Sequence, residues 1–169
     1  MTYKLLFVVI LVIGYLNYNQ YNTDSSRRKY ITFSAIVLGL QSALRNVAVG
    51  ADTYNYYLKF EAVKYTTWQE VFRSFPDTYL YGDGKDPGYL LLEKIFQVFS
   101  GDFRVFLFLI AIVFFYAYAK LLLRYTNNIL EVLTVNLGYS ALFYGFYSIT
   151  GLRQTLSVAL SILFLFSFI

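Results

Sequence analysis

The sequence predicts an all-α protein, a polytopic transmembrane helical bundle of about five spans plus one short re-entrant or interfacial helix. Three observations carry that expectation. The 169 residues are 58% hydrophobic and only 14% charged, about half the charge of a soluble domain. A water-soluble core of this length has too little interior to hide so much apolar side chain. Apolar stretches recur along the chain at lengths near the roughly 20 residues that cross a bilayer. The Lys and Arg residues behind the net charge of +4 sit at segment ends and in loops, the ordinary topology signal of membrane proteins. That placement argues against a nucleic-acid partner.

The first element is an apolar run over residues 5–18. Only Lys4 precedes it and no small-residue cleavage site follows, so it reads as a span rather than a signal peptide. Arg27, Arg28 and Lys29 then fall in a short loop, which the positive-inside rule places in the cytoplasm. A second span over 30–44 returns outward and ends at Arg45.

Residues 45–88 carry close to half of the chain's charges and a dense set of aromatics. They read as a structured extracytoplasmic loop with short helices. Thr67 followed by Glu70 is a capping-box pattern that starts a short amphipathic helix. The run YGDGKDPG is turn chemistry, with Asp86 as an N-cap and Pro87 at the first helical position.

The segment from Pro87 to Phe99 gives roughly 20 Å of helix, short of a 30 Å hydrocarbon core, and Glu93 and Lys94 sit in its middle. Two topologies follow. If it crosses, Lys120 and Arg124 end outside and Arg153 is cytoplasmic. If it is re-entrant or interfacial, the span over 103–123 runs inward and 129–147 runs outward. A last helix then begins near Leu152. The second scheme agrees better with positive-inside and gathers Arg45, Asp52, Asp86 and Arg153 on the outer side. The whole chain, 1–169, is read as one membrane domain, and its final apolar run, SILFLFSFI, predicts that it is truncated.

The chain has no cysteine and no histidine. Disulfide frameworks, thiolate nucleophiles, zinc sites and His-based triads are excluded. Neither a metal nor a cofactor is expected. Carboxylate, guanidinium, ammonium, phenol and hydroxyl are the groups left for chemistry.

Arg153 lies between two apolar runs. A helix-end arginine that snorkels to the headgroups accounts for it by position alone. Gly151 also permits a helix break, and a helix starting there offers unpaired N–H groups and a positive dipole end. A guanidinium beside such an end suits phosphate or pyrophosphate, because it presents two donors in a fixed fork. Gln154 adds an amide.

Between Arg45 and Phe60, Gly50 supplies a turn and Asp52 is placed to cap a helix starting at Thr53. Tyr54, Tyr56 and Tyr57 fit an interfacial belt and are also amphipathic platforms of the kind a sugar ring stacks on. Asp86 and Glu93, seven apart, share one helix side. They read either as a cap and a partner of Lys94, or as carboxylates in a dry setting suited to accept a proton.

These motifs, RNVAVGADTYNYY, then DPGYLLLEKIF, then GLRQTLSVAL, in this order between these spans, resemble the EpsG family of bacterial membrane proteins. The resemblance covers essentially all of the chain, as the N-terminal portion of a full-length member. It implies a Wzy-like polymerase of exopolysaccharide, capsule or O-antigen repeat units, a glycosyltransferase in the bacterial cytoplasmic membrane. Such an enzyme moves a growing glycan from undecaprenyl pyrophosphate onto an incoming lipid-linked unit at the outer face. Its partners would be the polyprenyl-pyrophosphate-linked oligosaccharide, membrane lipid and other glycan-export proteins. On this resemblance Arg153, Arg45 and Gln154 would hold pyrophosphate, Asp52 or Asp86 would be the base, and Tyr54, Tyr57 and Tyr89 would hold sugar.

Two other classes remain open on the sequence. A transporter or flippase of lipid-linked sugars would also use outer-face arginines and interfacial aromatics, with no base. For a non-catalytic partner in a glycan-export complex, Arg153→Ala would leave chain length unchanged while association with other exporters fails.

Overall fold

The computed structural model describes residues 2–21, 23–49 and 52–168. Among them are α1 (Thr2–Asn19), α2 (Asp24–Ala43), α3 (Thr53–Val63), α4 (Trp68–Leu80), α5 (Pro87–Phe99), α6 (Phe103–Tyr125), α7 (Ile129–Gly138), a π-helical stretch (Tyr139–Thr150) and α8 (Leu152–Ser167). No strand occurs among the described residues. The all-α expectation holds.

The span expectation holds in part. Among the described residues one helix, α6, is long and apolar enough to cross a membrane; its 23 residues give about 34 Å at the α-helical rise. The apolar stretches Leu6–Asn19, Ile129–Gly145 and Leu152–Ser167 are helical but shorter. Arg27, Arg28 and Lys29 are not in a loop: they belong to the first turns of α2. The reason is local. The Thr23 hydroxyl accepts from the Ser26 amide, and Asp24 complements the helix dipole while pairing with Arg27 and Arg28.

α6 is the axis of the fold. Its Phe114, Phe115, Tyr118 and Leu122 enter a core shared with α1, α2, α7 and α8, while Phe103, Phe106 and Ile110 enter a second core with α3 and α5. The same helix can serve both because it is apolar on every side.

Two groups of bonds define the ends of this bundle. At one end Arg27 Nη1 donates to the Leu123 carbonyl at 3.3 Å, tying the start of α2 to the end of α6. At the other end Thr53 Oγ1 donates to the Ile149 carbonyl at 2.7 Å, so α3 meets the end of the π-helical stretch. α5 lies over this second end. Lys94 Nζ donates to the Val63 carbonyl at 3.1 Å and Gln97 Nε2 to the Phe60 carbonyl at 2.6 Å, which satisfies carbonyls near the end of α3. Phe96 closes on Phe60 and Phe106. α5 therefore does not traverse the bundle, and Arg45, Asp86 and Arg153 share one end with α3.

Candidate functional site

α8 begins where the sequence placed its break. Gly151 (φ −89°, ψ 58°) leaves helical geometry, and α8 starts at Leu152. Thr155 Oγ1 donates to the Gly151 carbonyl at 2.8 Å, which holds the break closed on the following turn. Arg153 is thus the second residue of the helix. Its Nε donates to Tyr56 Oη at 3.2 Å and its guanidinium lies 5.7 Å from the Tyr56 ring centroid, within cation–π range. Nη1 pairs with the Asp86 carboxylate.

Asp86 does not cap α5 with its side chain. It occupies the residue before Pro87, but its backbone is left-handed (φ 55°, ψ 56°) and it makes no side-chain cap bond. It is the one non-glycine residue with positive φ among the described residues. Such a conformation costs on the order of 1 kcal/mol for an L-residue, least for Asn and Asp. What the strained backbone accompanies is a carboxylate turned onto Arg153, leaving a half-exposed ion pair, with the Asp86 side chain 51% and the Arg153 side chain 32% accessible.

Below this pair runs a groove of about 550 Å³ between α5, α6 and α8. Asp86 and Arg153 stand at its head, and Leu92, Ile110, Val113, Leu156 and Leu160 form its body. A polar bay of about 440 Å³ opens beside the same pair and includes Lys85 and Gln154. Gln154 therefore stands with Arg153. The head of the groove is polar and its length is hydrocarbon.

Behind Tyr56 stands Tyr89, edge-on at 6.0 Å, which in turn meets Phe106 at 6.1 Å. One turn along α5, Glu93 is only 2% exposed. Burial raises its carboxyl to about 7, with Tyr89 and Lys59 acting against the rise. Arg45 donates from Nη1 to the Ser42 carbonyl at 2.8 Å. Burial pulls its guanidinium down to about 10, opposed by Tyr144 and Tyr89, so it stays charged at neutral pH. Among the described residues no three carboxylates gather that would hold a metal ion.

The structure brings Arg153, Gln154, Asp86 and Tyr89 together, with Arg45 reached through Tyr89. It does not bring in Asp52. That residue sits at the N-cap position of α3, exposed, with no side-chain cap bond. Gly50 lies outside the described residues. Tyr54 and Tyr57 also part from Arg153: their rings are 6.1 Å apart on another side of α3, and Tyr57 is edge-on to Phe103 at 5.7 Å. Tyr56, which the sequence placed only beside Tyr54 and Tyr57 as an interfacial tyrosine, is the partner of Arg153. The signal was present, since Thr53, Tyr56, Phe60 and Val63 form the buried stripe of α3 at helical spacing.

An apolar central helix, flanked by shorter apolar ones and headed by a charged pair over a hydrocarbon-lined groove, defines a helical membrane protein with a polar site at one end. The chain belongs to the EpsG family, whose profile matches residues 28–169. Membership associates it with exopolysaccharide biosynthesis. No curated protein matches the chain, and no solved structure does.

Proposed function

We propose that this chain carries the pyrophosphate-binding site of a membrane polysaccharide polymerase, one that transfers a glycan from undecaprenyl pyrophosphate to a lipid-linked repeat unit at the outer face. The single observation that carries the reading is the Asp86–Arg153 pair, held by a left-handed Asp86 at the head of an apolar groove. A carboxylate on a guanidinium occupies the place of an anionic headgroup, and the groove beneath suits a hydrocarbon tail.

In the reaction, lipid pyrophosphate takes the place of Asp86 on Arg153, where bidentate donors meet the charge that grows on the leaving group. The acceptor hydroxyl oxygen attacks the anomeric carbon of the donor sugar. The bond from that carbon to the pyrophosphate oxygen breaks, and its electron pair leaves with the pyrophosphate. Asp86, released from the guanidinium, takes the hydroxyl proton. Tyr56 holds Arg153 in place through its hydroxyl and ring face.

The test is polysaccharide chain length, read as a gel ladder, in cells whose full-length protein carries Arg153→Lys. Lysine keeps the charge but loses the fork. Collapse to single repeat units, with the protein at normal membrane levels, is the expected result. An unchanged ladder reduces Arg153 to a helix-end residue and removes the assignment. Asp86→Asn separates the rival transporter class: transport needs no base, so normal ladders there favour it.

A further inference from the structure

A second trough lies on another side of α6, between it and α2. It has three chambers in series. The first is a groove of about 480 Å³ whose walls include Ala35, Gly39 and Ala43 of α2 and Ala111, Phe115 and Leu123 of α6. Small residues on α2 keep the two backbones close and leave the space open. The stretch from Phe108 to Leu123 gives it roughly 22 Å of length, comparable to most of a bilayer's hydrocarbon thickness.

The second chamber, about 470 Å³, shares Ala43 and Phe108 with the first and is lined by Arg45, Asn46 and Arg104. Arg104 is exposed and has no carboxylate partner among the described residues. The third, about 530 Å³, shares Asn46 and Arg104 with the second and adds Tyr54, Tyr57, Glu61 and Asp102. Glu61 is paired with Lys64, and Asp102 accepts from the Arg104 amide. At the far end of the apolar chamber Lys120 is already placed over the Tyr116 ring, 5.0 Å from its centroid. At the end shared with α3, Arg104 carries its charge with no carboxylate and no ring beside it among the described residues.

Hydrocarbon, then guanidinium, then tyrosine with carboxylate is the order of parts in a lipid-linked saccharide: tail, phosphate, sugar. We propose that this trough is a second lipid site, binding a phosphate-linked saccharide lipid. Its tail lies between α2 and α6, its phosphate meets Arg104, and its sugar stacks on Tyr54 and Tyr57. The same order accounts for the separation of those two tyrosines from Arg153. In the polymerase reading this lipid is the second of the two substrates, and its catalytic role rests on that reading. The binding does not.

The probes are radiolabelled undecaprenol, undecaprenyl monophosphate and undecaprenyl pyrophosphate carrying one N-acetylglucosamine. The protein is the full-length chain in phosphatidylethanolamine nanodiscs, with a photo-crosslinking phenylalanine analogue at Ile112, an exposed residue of the groove. Phosphate-bearing probes are captured about tenfold more than undecaprenol, and Arg104→Ala removes that preference. Tyr57→Ala lowers capture of the saccharide probe alone. Capture persists in Arg153→Lys, so loss of the polymerase reading and loss of this site are told apart. Equal capture of all three probes, no capture of any, or cross-linking to a polypeptide in place of lipid each overturns the proposal. Native mass spectrometry of the protein without the analogue provides a second measurement: Arg104→Ala binds one saccharide lipid fewer than the wild type.

Discussion

Asp86 adopts a backbone conformation that glycine adopts freely, which allows the strain and the ion pair to be separated. In Asp86→Gly the left-handed turn before Pro87 survives and the carboxylate is gone. The expected outcome is a thermal midpoint in detergent no lower than wild type, together with loss of the polysaccharide ladder. A fall in both would make the pair structural. Glu93 allows a test in pH. Its folded value near 7 lies above the ordinary 4.5, so the fold binds this proton more tightly than the unfolded chain does. The associated stability is complete below about pH 4.5 and is lost as pH rises through about 7. Melting curves between pH 5 and 8 will show that decline, and Glu93→Gln will flatten it. Arg153 was legible in the sequence because a permanent charge stands out between apolar runs. Its partners were not, since Asp86 has the look of a cap before proline, and Tyr56 stands among tyrosines that an interfacial belt equally explains.

Among the elements, α4 was the most legible. Its capping box forms as the spacing implies, with Thr67 Oγ1 accepting from the Glu70 amide at 3.3 Å and Glu70 accepting from the Thr67 amide at 2.6 Å. Thr67→Ala should cost about 1 kcal/mol, read as faster amide exchange in the first turn of α4. The start of α2 and the winding after Gly138 were least legible. Three consecutive cations resemble a loop until Thr23 and Asp24 are seen to cap them, and no residue pattern distinguishes π from α winding over Tyr139–Thr150. Inside the bundle the buried Tyr118 hydroxyl donates to Asn136 Oδ1 at 3.0 Å, joining α6 to α7. Tyr118→Phe leaves the packing and removes the bond, so a loss of about 0.6–1.7 kcal/mol is expected from such bonds in membrane bundles. Unfolding in mixed detergent measures it.

For the molecule as a whole, the fold class was legible from composition, while the number of spans was not. Apolar content does not fix where a helix begins or how it winds, and among the described residues α6 alone is both long and apolar enough to cross. The side of the bundle that each loop occupies is directly testable with single cysteines, because these 169 residues hold none; any cysteine elsewhere in the full-length protein is first replaced by serine. In cells expressing the full-length protein, Asp83→Cys and Ser100→Cys will react with an impermeant maleimide from outside. Asn128→Cys will react only after permeabilisation. Labelling of Asp83→Cys and Ser100→Cys from opposite sides would mean that α5 crosses the membrane.

The carboxylate resting on Arg153 also acts as a tethered competitor. A group attached by a short segment presents itself at an effective concentration in the millimolar range. A free anion must exceed that threshold before it displaces Asp86, and a dilute monophosphate meeting a single guanidinium does not. A lipid confined to the bilayer is concentrated by the membrane itself, and it adds the burial of its tail in the groove to the pairing of its headgroup. In the proposed function, the latch thus sorts anions by whether they come with a tail, and a soluble phosphate lacking one is the ligand it would refuse.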